Sequence, residues 1–162
     1  MLFLSHLQRS KIQCPFCTIK KETTKIISSR PFTRVVFSNP RLVPGHLLVI
    51  PKRHVEKLSE LTQKELIELW NTTIDFQERI ISRIAPGCDI RQNYHPFQKQ
   101  GRLKVDHLHL HLIPRAFKDP IYKMTQINEK YLFEDLEEKE MEWILKILKK
   151  PPNIKQRNHG RK

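Results

Sequence analysis

Three histidines alternate with leucines in the run Asp106-His107-Leu108-His109-Leu110-His111-Leu112-Ile113-Pro114, and no other segment restricts the chain so tightly. Successive side chains of a strand point to opposite faces. His107, His109 and His111 therefore share one face, while Leu108, Leu110 and Leu112 share the other, which reads as the core side. A single histidine on a half-buried strand is commonly structural. Three in strict register, out of eight in the chain, converge on one site, and burial alone does not explain that. Imidazole is both a metal ligand and a nucleophile or proton carrier near neutral pH.

Near the N-terminus, Cys14-Pro15-Phe16-Cys17 sets two thiols at C-x2-C spacing, which lets both grip one Zn²⁺. Cys88 is the one cysteine left over, so the chain is not a disulfide scaffold. With no secretory apolar segment near Met1, the expected compartment is a reducing cytoplasm. There a C-x2-C is a metal knuckle or a redox pair more often than a structural disulfide. A tetrahedral zinc needs two further ligands, and histidines are the available candidates.

The 162 residues suffice for one domain with a core. Lys plus Arg number 30 against 17 Asp plus Glu, a formal charge of +13. That excess favours anionic partners such as nucleotides, polyphosphates or nucleic acid, although most surface lysines serve only solvation. No apolar run reaches membrane-spanning length.

The pattern along the chain is that of an α+β domain over residues 1–150. Phe32 to Phe37 and His46 to Ile50 read as strands, separated by Asn39-Pro40 and Pro44-Gly45. Thr62-Gln63-Lys64-Glu65 reads as a capping box. It opens a helix that runs to about Ile84, with Leu66, Leu69, Trp70, Thr73, Ile80 and Ile84 near one stripe. Pro86-Gly87 stops the helix. Cys88 to Tyr94 and Lys104 to Ile113 are the next strands, joined by a polar loop from His95 to Gly101. Glu134 to Lys149 is a second amphipathic helix, and residues 151–162 form a basic tail expected to be disordered.

His107-Leu-His109-Leu-His111-Leu-Ile resembles the H-φ-H-φ-H-φ-φ signature of the histidine triad (HIT) superfamily of nucleotide hydrolases and transferases. Pro44-Gly45-His46-Leu47-Leu48-Val49-Ile50-Pro51-Lys52-Arg53-His54 is similar to that family's second block. Cys14-Pro-Phe-Cys17 is similar to the C-x-F-C of its zinc-binding bacterial branch. The three blocks fall in the family's order and spacing from about Ile12 to Ala116. The resemblance implies a HIT-like antiparallel sheet of about five strands, with a main helix packed on it and a C-terminal helix.

The resemblance also implies roles. His109 is the nucleophile that attacks the α-phosphorus of a bound nucleotide, giving a nucleotidyl-histidine intermediate. His111 and His46 flank the phosphate. Cys14, Cys17, His54 and His107 complete a closed, structural Cys2His2 zinc site. Asn93 is similar to the family's phosphate-holding Asn before the triad. Two departures bear on substrate. Leu103 and Lys104 stand where the family has Gln and Ser or Thr, so Lys104 becomes the candidate phosphate contact. Ser38 or Asn39 occupies the place of the ribose-binding Asp. The expected substrate is a dinucleoside polyphosphate or related nucleotidyl compound. Two alternatives stay open: a nucleotidyltransferase or phosphorylase of the same superfamily, and a zinc-stabilised nucleic-acid-binding module that uses the basic surface and tail. Family members are commonly homodimers joined through the helix between the second and third blocks. Trp70 and Ile81 are the residues offered for such an interface.

Overall fold

The leucines of the histidine run lie where alternation puts them, beneath the long helix. The structure is a computed structural model that describes residues 14–19, 24–126 and 134–149. Strands β1 (Ile26–Ser29), β2 (Thr33–Phe37), β3 (Leu47–Pro51), β4 (Gly87–Gln92) and β5 (Leu110–Arg115) form one antiparallel sheet in the order β1-β2-β3-β5-β4. Helix α1 (Gln63–Arg83) connects β3 to β4 and packs on one face of the sheet.

Each face of the sheet has its own apolar set. Val35, Leu47, Val49, Leu108, Leu110 and Leu112 meet Leu69, Phe76 and Ile80 of α1. On the opposite face, Val36, Leu48 and Ile50 are covered by Phe16, Ile19 and Ile26. The strand register aligns Val36 with Leu48, Leu48 with His111 and His111 with Arg91. Residues directly opposite on paired strands point to the same face. This row therefore crosses four strands on the face away from α1.

The helix begins where the capping box predicts. Thr62 is the N-cap; its hydroxyl accepts from the Glu65 backbone N–H, and its own N–H donates to Glu65 Oε2 at 2.8 Å. Glu65 also takes a two-pronged bond from Arg53, with Nε–Oε1 and Nη2–Oε2 both at 2.8 Å. The Arg53 guanidinium and the Thr62 bonds hold the Glu65 carboxyl down at about 2 against the penalty of burial. This bond fastens the segment after β3, which carries His54, to the start of α1. Gly45, with φ +80°, turns the chain into His46. A Cβ there would meet Ile84 and Pro114 side chains at 3.2 Å, so only glycine makes this turn without strain.

The boundaries differ from the sequence reading in instructive places. The histidine strand is expected over Lys104–Ile113, yet β5 starts at Leu110. Upstream of it the Leu108 N–H donates to the Val55 carbonyl at 2.6 Å, a residue of the loop after β3. His107 and His109 keep their alternation in an extended approach to the sheet. Strand β1 has no counterpart in the sequence reading. It is four residues of an edge strand, Ile-Ile-Ser-Ser, with a register irregularity and an exposed Ile27. Too few residues alternate there to signal a strand.

The chain divides into two compact units, Met1–Met124 and Thr125–Lys162, with the boundary inside the stretch read from sequence as one domain to residue 150. The second unit contains helix α2 (Glu138–Leu148), shorter than the expected Glu134–Lys149 because its N-cap is Glu137. Residues 151–162, the tail of the sequence reading, lie outside the described residues. No helix among the described residues is long and apolar enough to cross a membrane.

Candidate active site and metal centre

Cys14, Cys17, His54 and His107 come together as the sequence reading requires. Their ligand atoms all lie within 4.8 Å of one another. Cys14 Sγ is 3.3 Å from His107 Nδ1, and Cys17 Sγ is 3.3 Å from His54 Nδ1. A tetrahedral ion with M–S of about 2.3 Å and M–N of about 2.0 Å would set such atoms roughly 3.5 Å apart, so the donor set fits a metal ion. The outer contact fits as well. His107 Nε2–H donates to the Pro51 carbonyl at 2.9 Å, which leaves Nδ1 as the ligand atom. Burial pushes the Cys17 thiol up to about 11, and the neighbouring Cys14 adds to the effect. A divalent ion reverses that preference, because it binds the thiolate form.

The knuckle also reaches the other histidines. The Phe16 ring stands edge-on to His107 and His109, with centroids 5.8 and 5.3 Å away. The Cys14–Cys17 segment thus packs against the wall on which His109 stands.

His46, His109 and His111 gather at one cleft, and their hydrogen bonds assign their tautomers. The Leu42 backbone N–H donates to His46 Nδ1 at 3.1 Å, so that nitrogen carries a lone pair. His46 Nε2 then bears the proton and donates to His111 Nδ1 at 2.9 Å. His111 in turn keeps its proton on Nε2. Separately, His109 Nδ1–H donates to the His107 carbonyl at 2.6 Å, which leaves Nε2 of His109 unprotonated. Two tools of phosphoryl chemistry result: a free imidazole lone pair and, beside it, an N–H donor. The His109 and His111 ring centroids are 4.8 Å apart.

Burial keeps these rings neutral. It pushes His46 down to about 4, aided by the positive charge of Arg91 and by His109. It pushes His111 down to about 3, aided by His109, His46 and Arg91. Burial also lowers His109, against the opposing bond to the His107 carbonyl. In an unfolded chain histidine titrates near 6.5. The unfolded state therefore takes up protons first as pH falls, and stability from His46 and His111, complete above about pH 6.5, drains away toward pH 4. Thermal melts from pH 7.5 to 4.5 should show this loss, with a shallower slope in His46→Asn. An equal slope in that variant would contradict it.

The cleft has a volume of about 600 Å³, within the range of small-molecule sites. Ser38, Asn39 and Asn93 line it with the three histidines. The Ser38 hydroxyl is already engaged, donating to the Pro40 carbonyl at 2.8 Å. Lys104 is the sequence candidate that the fold does not bring to this cleft. Its ammonium binds Asp106 and the Gln98 carbonyl, while Leu103 lines the cleft instead. The sequence reading also missed Arg41, Arg91 and Arg102, which line the cleft. Arg91 had a signal: it precedes Asn93 by two residues in the strand read from sequence over Cys88 to Tyr94, and alternation puts both on one face.

An antiparallel five-stranded sheet with one crossover helix, a second amphipathic helix and a histidine row at the cleft defines a fold class, and comparison with known proteins agrees. The HIT domain family model matches residues 20–118. The chain belongs to the HIT domain family. It is 33% identical over 96 residues to a bis(5'-nucleosyl)-tetraphosphatase [asymmetrical] of Schizosaccharomyces pombe, covering 54% of this chain and 50% of the relative. It is 30% identical over 105 residues to the adenosine 5'-monophosphoramidase hnt1 of the same yeast, covering 59% of this chain and 72% of the relative. The chain thus spans half the length of the first of these. Among solved structures, a HIT family protein from Bacillus anthracis superposes with a TM-score of 0.62 at 22% identity, over 85% of this chain and 96% of that one. A Zn-bound histidine triad family protein from Mycobacterium smegmatis gives 0.56 at 24% identity, over 67% and 78%.

Proposed function

We propose that this protein is a nucleotidyl hydrolase that cleaves dinucleoside polyphosphates or related nucleotidyl compounds at the α-phosphate. The observation that carries the reading is the unprotonated Nε2 of His109, facing a cleft beside the donor N–H of His111. In this account His109 Nε2 attacks the α-phosphorus, and the bond from phosphorus to the leaving-group oxygen breaks with its electron pair on that oxygen. The nucleotidyl group is then held as a phosphoramidate on His109. Positive charge builds on the imidazole ring as the bond forms, and the His107 carbonyl stabilises it through Nδ1–H. His111 Nε2–H donates to a nonbridging oxygen as negative charge develops. His46 holds His111 in the donating tautomer. A polyphosphate leaving group needs no proton near neutral pH, so His111 need not surrender one; with a phosphoramidate the bond that breaks is P–N, and the departing amine takes a proton from solvent. Water then attacks phosphorus and gives up a proton to solvent, the P–N bond breaks with its electron pair on Nε2, and His109 regains its lone pair.

The substrate lies with its nucleoside against the apolar β2–β3 side of the cleft, near Phe37, Leu42, Ser38 and Asn39, and with Asn93 toward its phosphates. The metal ion is zinc, held by Cys14, Cys17, His54 and His107. It occupies a closed site of four protein ligands and has a structural role. The relatives named above act on a bis(5'-nucleosyl) tetraphosphate and an adenosine 5'-monophosphoramidate by their names, which supports the substrate class. Thiol ligands of this kind suit a reducing cytoplasm. The basic charge of +13 adds weak, salt-screened attraction to nucleic acid.

The protein acts as a homodimer joined across α1 and the edge strand β4. Ile67, Trp70, Ile74 and Ile81 are 39–52% exposed at helical spacing along α1. Such a stripe is costly to leave in water. Solution scattering should give twice the chain mass, and Trp70→Glu with Ile74→Glu should halve it; a monomeric wild type contradicts the interface.

Incubation with a panel of dinucleoside polyphosphates, nucleoside phosphoramidates and end-labelled nucleic acids, read by chromatography, tests the reading as a whole. A nucleoside monophosphate product from the first two is expected. Salt-sensitive binding to nucleic acid with no turnover of any small substrate would replace the hydrolase with a binding module.

A further inference from the structure

We propose that Arg91 forms an anion subsite for the leaving-group phosphates, and so sets a preference for polyphosphate substrates over substrates with an uncharged leaving group. The inference rests on the hydrolase reading and adds a residue to it. Arg91 stands on β4 directly opposite His111 in the strand register and lines the same cleft. Strands lie about 4.8 Å apart, so Arg91 stands one strand beyond His111 along the sheet.

Some arginines of the fold are neutralised by carboxylates, whereas Arg41 and Arg102, which share the cleft, are not among them. Arg30 pairs with Asp75, Arg53 with Glu65, and Arg115 with Asp89 and Asp119. Arg91 has no ion pair among the described residues. Its charge is instead felt by His46 and His111, whose protonation it opposes. A cation set beside two histidines with no carboxylate to neutralise it is complementary to a bound anion.

The direction of the subsite follows from the row across the sheet. Val36 and Leu48 on β2 and β3 are apolar and suit the nucleoside. His111 marks the α-phosphate, and Arg91 lies on the far side, where the leaving group must exit. The loop before His107 brings Arg102 to the cleft as well, but off the strand row that runs through His111. Leu103 lines the cleft there, and Lys104 is occupied by Asp106 and the Gln98 carbonyl. A guanidinium also suits phosphate oxygens by its forked geometry.

Arg91→Gln and Arg91→Lys test the assignment against wild type on a dinucleoside tetraphosphate and on a nucleoside phosphoramidate whose leaving group is an uncharged amine. The ratio of kcat/KM for the two substrates should fall about 10- to 100-fold in Arg91→Gln, as for loss of one charge-assisted bond, with partial recovery in Arg91→Lys. An unchanged ratio, whether both rates fall together or neither moves, overturns the subsite. Calorimetry with inorganic tripolyphosphate reads the same contact without turnover. Arg91→Gln should weaken binding at least 10-fold, and equal binding overturns the proposal. A wild type that binds tripolyphosphate through Arg91 but hydrolyses neither compound would sink the hydrolase reading and leave the anion site standing. Melting curves establish that both variants fold.

Discussion

His109→Ala protein should fold, keep its metal and lose about 10⁴-fold or more of its turnover, the scale of removing a nucleophile. The separation of roles within one histidine run is what makes this expectation sharp. His107 Nδ1 faces the two thiols, while His109 turns its Nδ1–H back to the His107 carbonyl and presents Nε2 to the cleft. Truncating His109 therefore removes no metal ligand and no member of the helix-side core, which is built from the intervening leucines. The melting temperature and metal content should stay close to wild type. His109→Gly, supplied with free imidazole, should regain part of the lost activity, because the added ring can take the vacated space. Near-wild-type turnover by His109→Ala would exclude the covalent route.

Loss of the metal should have the second large effect, this time on stability. A ligand present at about a thousandfold excess over its dissociation constant stabilises the folded state by about 4 kcal/mol. For a chain of this size each kcal/mol moves the midpoint by about 2–4 °C. Cys14→Ser and Cys17→Ser should each shed the ion on dialysis and melt about 8–16 °C lower, and a chelator should bring wild type to the same state. Purified wild type should carry about one zinc per chain. Activity should fall less than stability, since the knuckle meets His109 through the edge of Phe16 and supplies none of the groups of the cleft that act on the phosphate. Wild type free of metal after careful preparation, or serine variants melting like wild type, would contradict the site.

What the sequence made legible was what periodicity and spacing govern. The histidine–leucine alternation assigned both faces of the run because strand geometry has a period of two. Thr62 and Glu65 marked the start of α1 because the capping box is a local motif with fixed spacing. The set Cys14, Cys17, His54 and His107 was offered by resemblance, from three short blocks whose candidate ligand atoms lie within 4.8 Å of one another. Contacts that depend on register or on loop path were not legible. Arg91 could be assigned to a strand face, but its place opposite His111 comes from the pairing of β4 with β5, which no local pattern encodes. Lys104 reads as a phosphate contact by its position in a motif; the loop instead turns its ammonium onto Asp106. Strand β1 escaped because an edge strand of four half-exposed residues has too little pattern to read.

Whether the nucleotidyl group passes through His109 is written in the stereochemical course at the α-phosphorus. A substrate made chiral at the α-phosphorus, turned over in isotopically labelled water, reports the number of displacements. Two in-line displacements, onto His109 Nε2 and then onto water, predict retention of configuration. Inversion would mean that water attacks the nucleotide directly, with His109 serving only to bind or orient it, and would contradict the account.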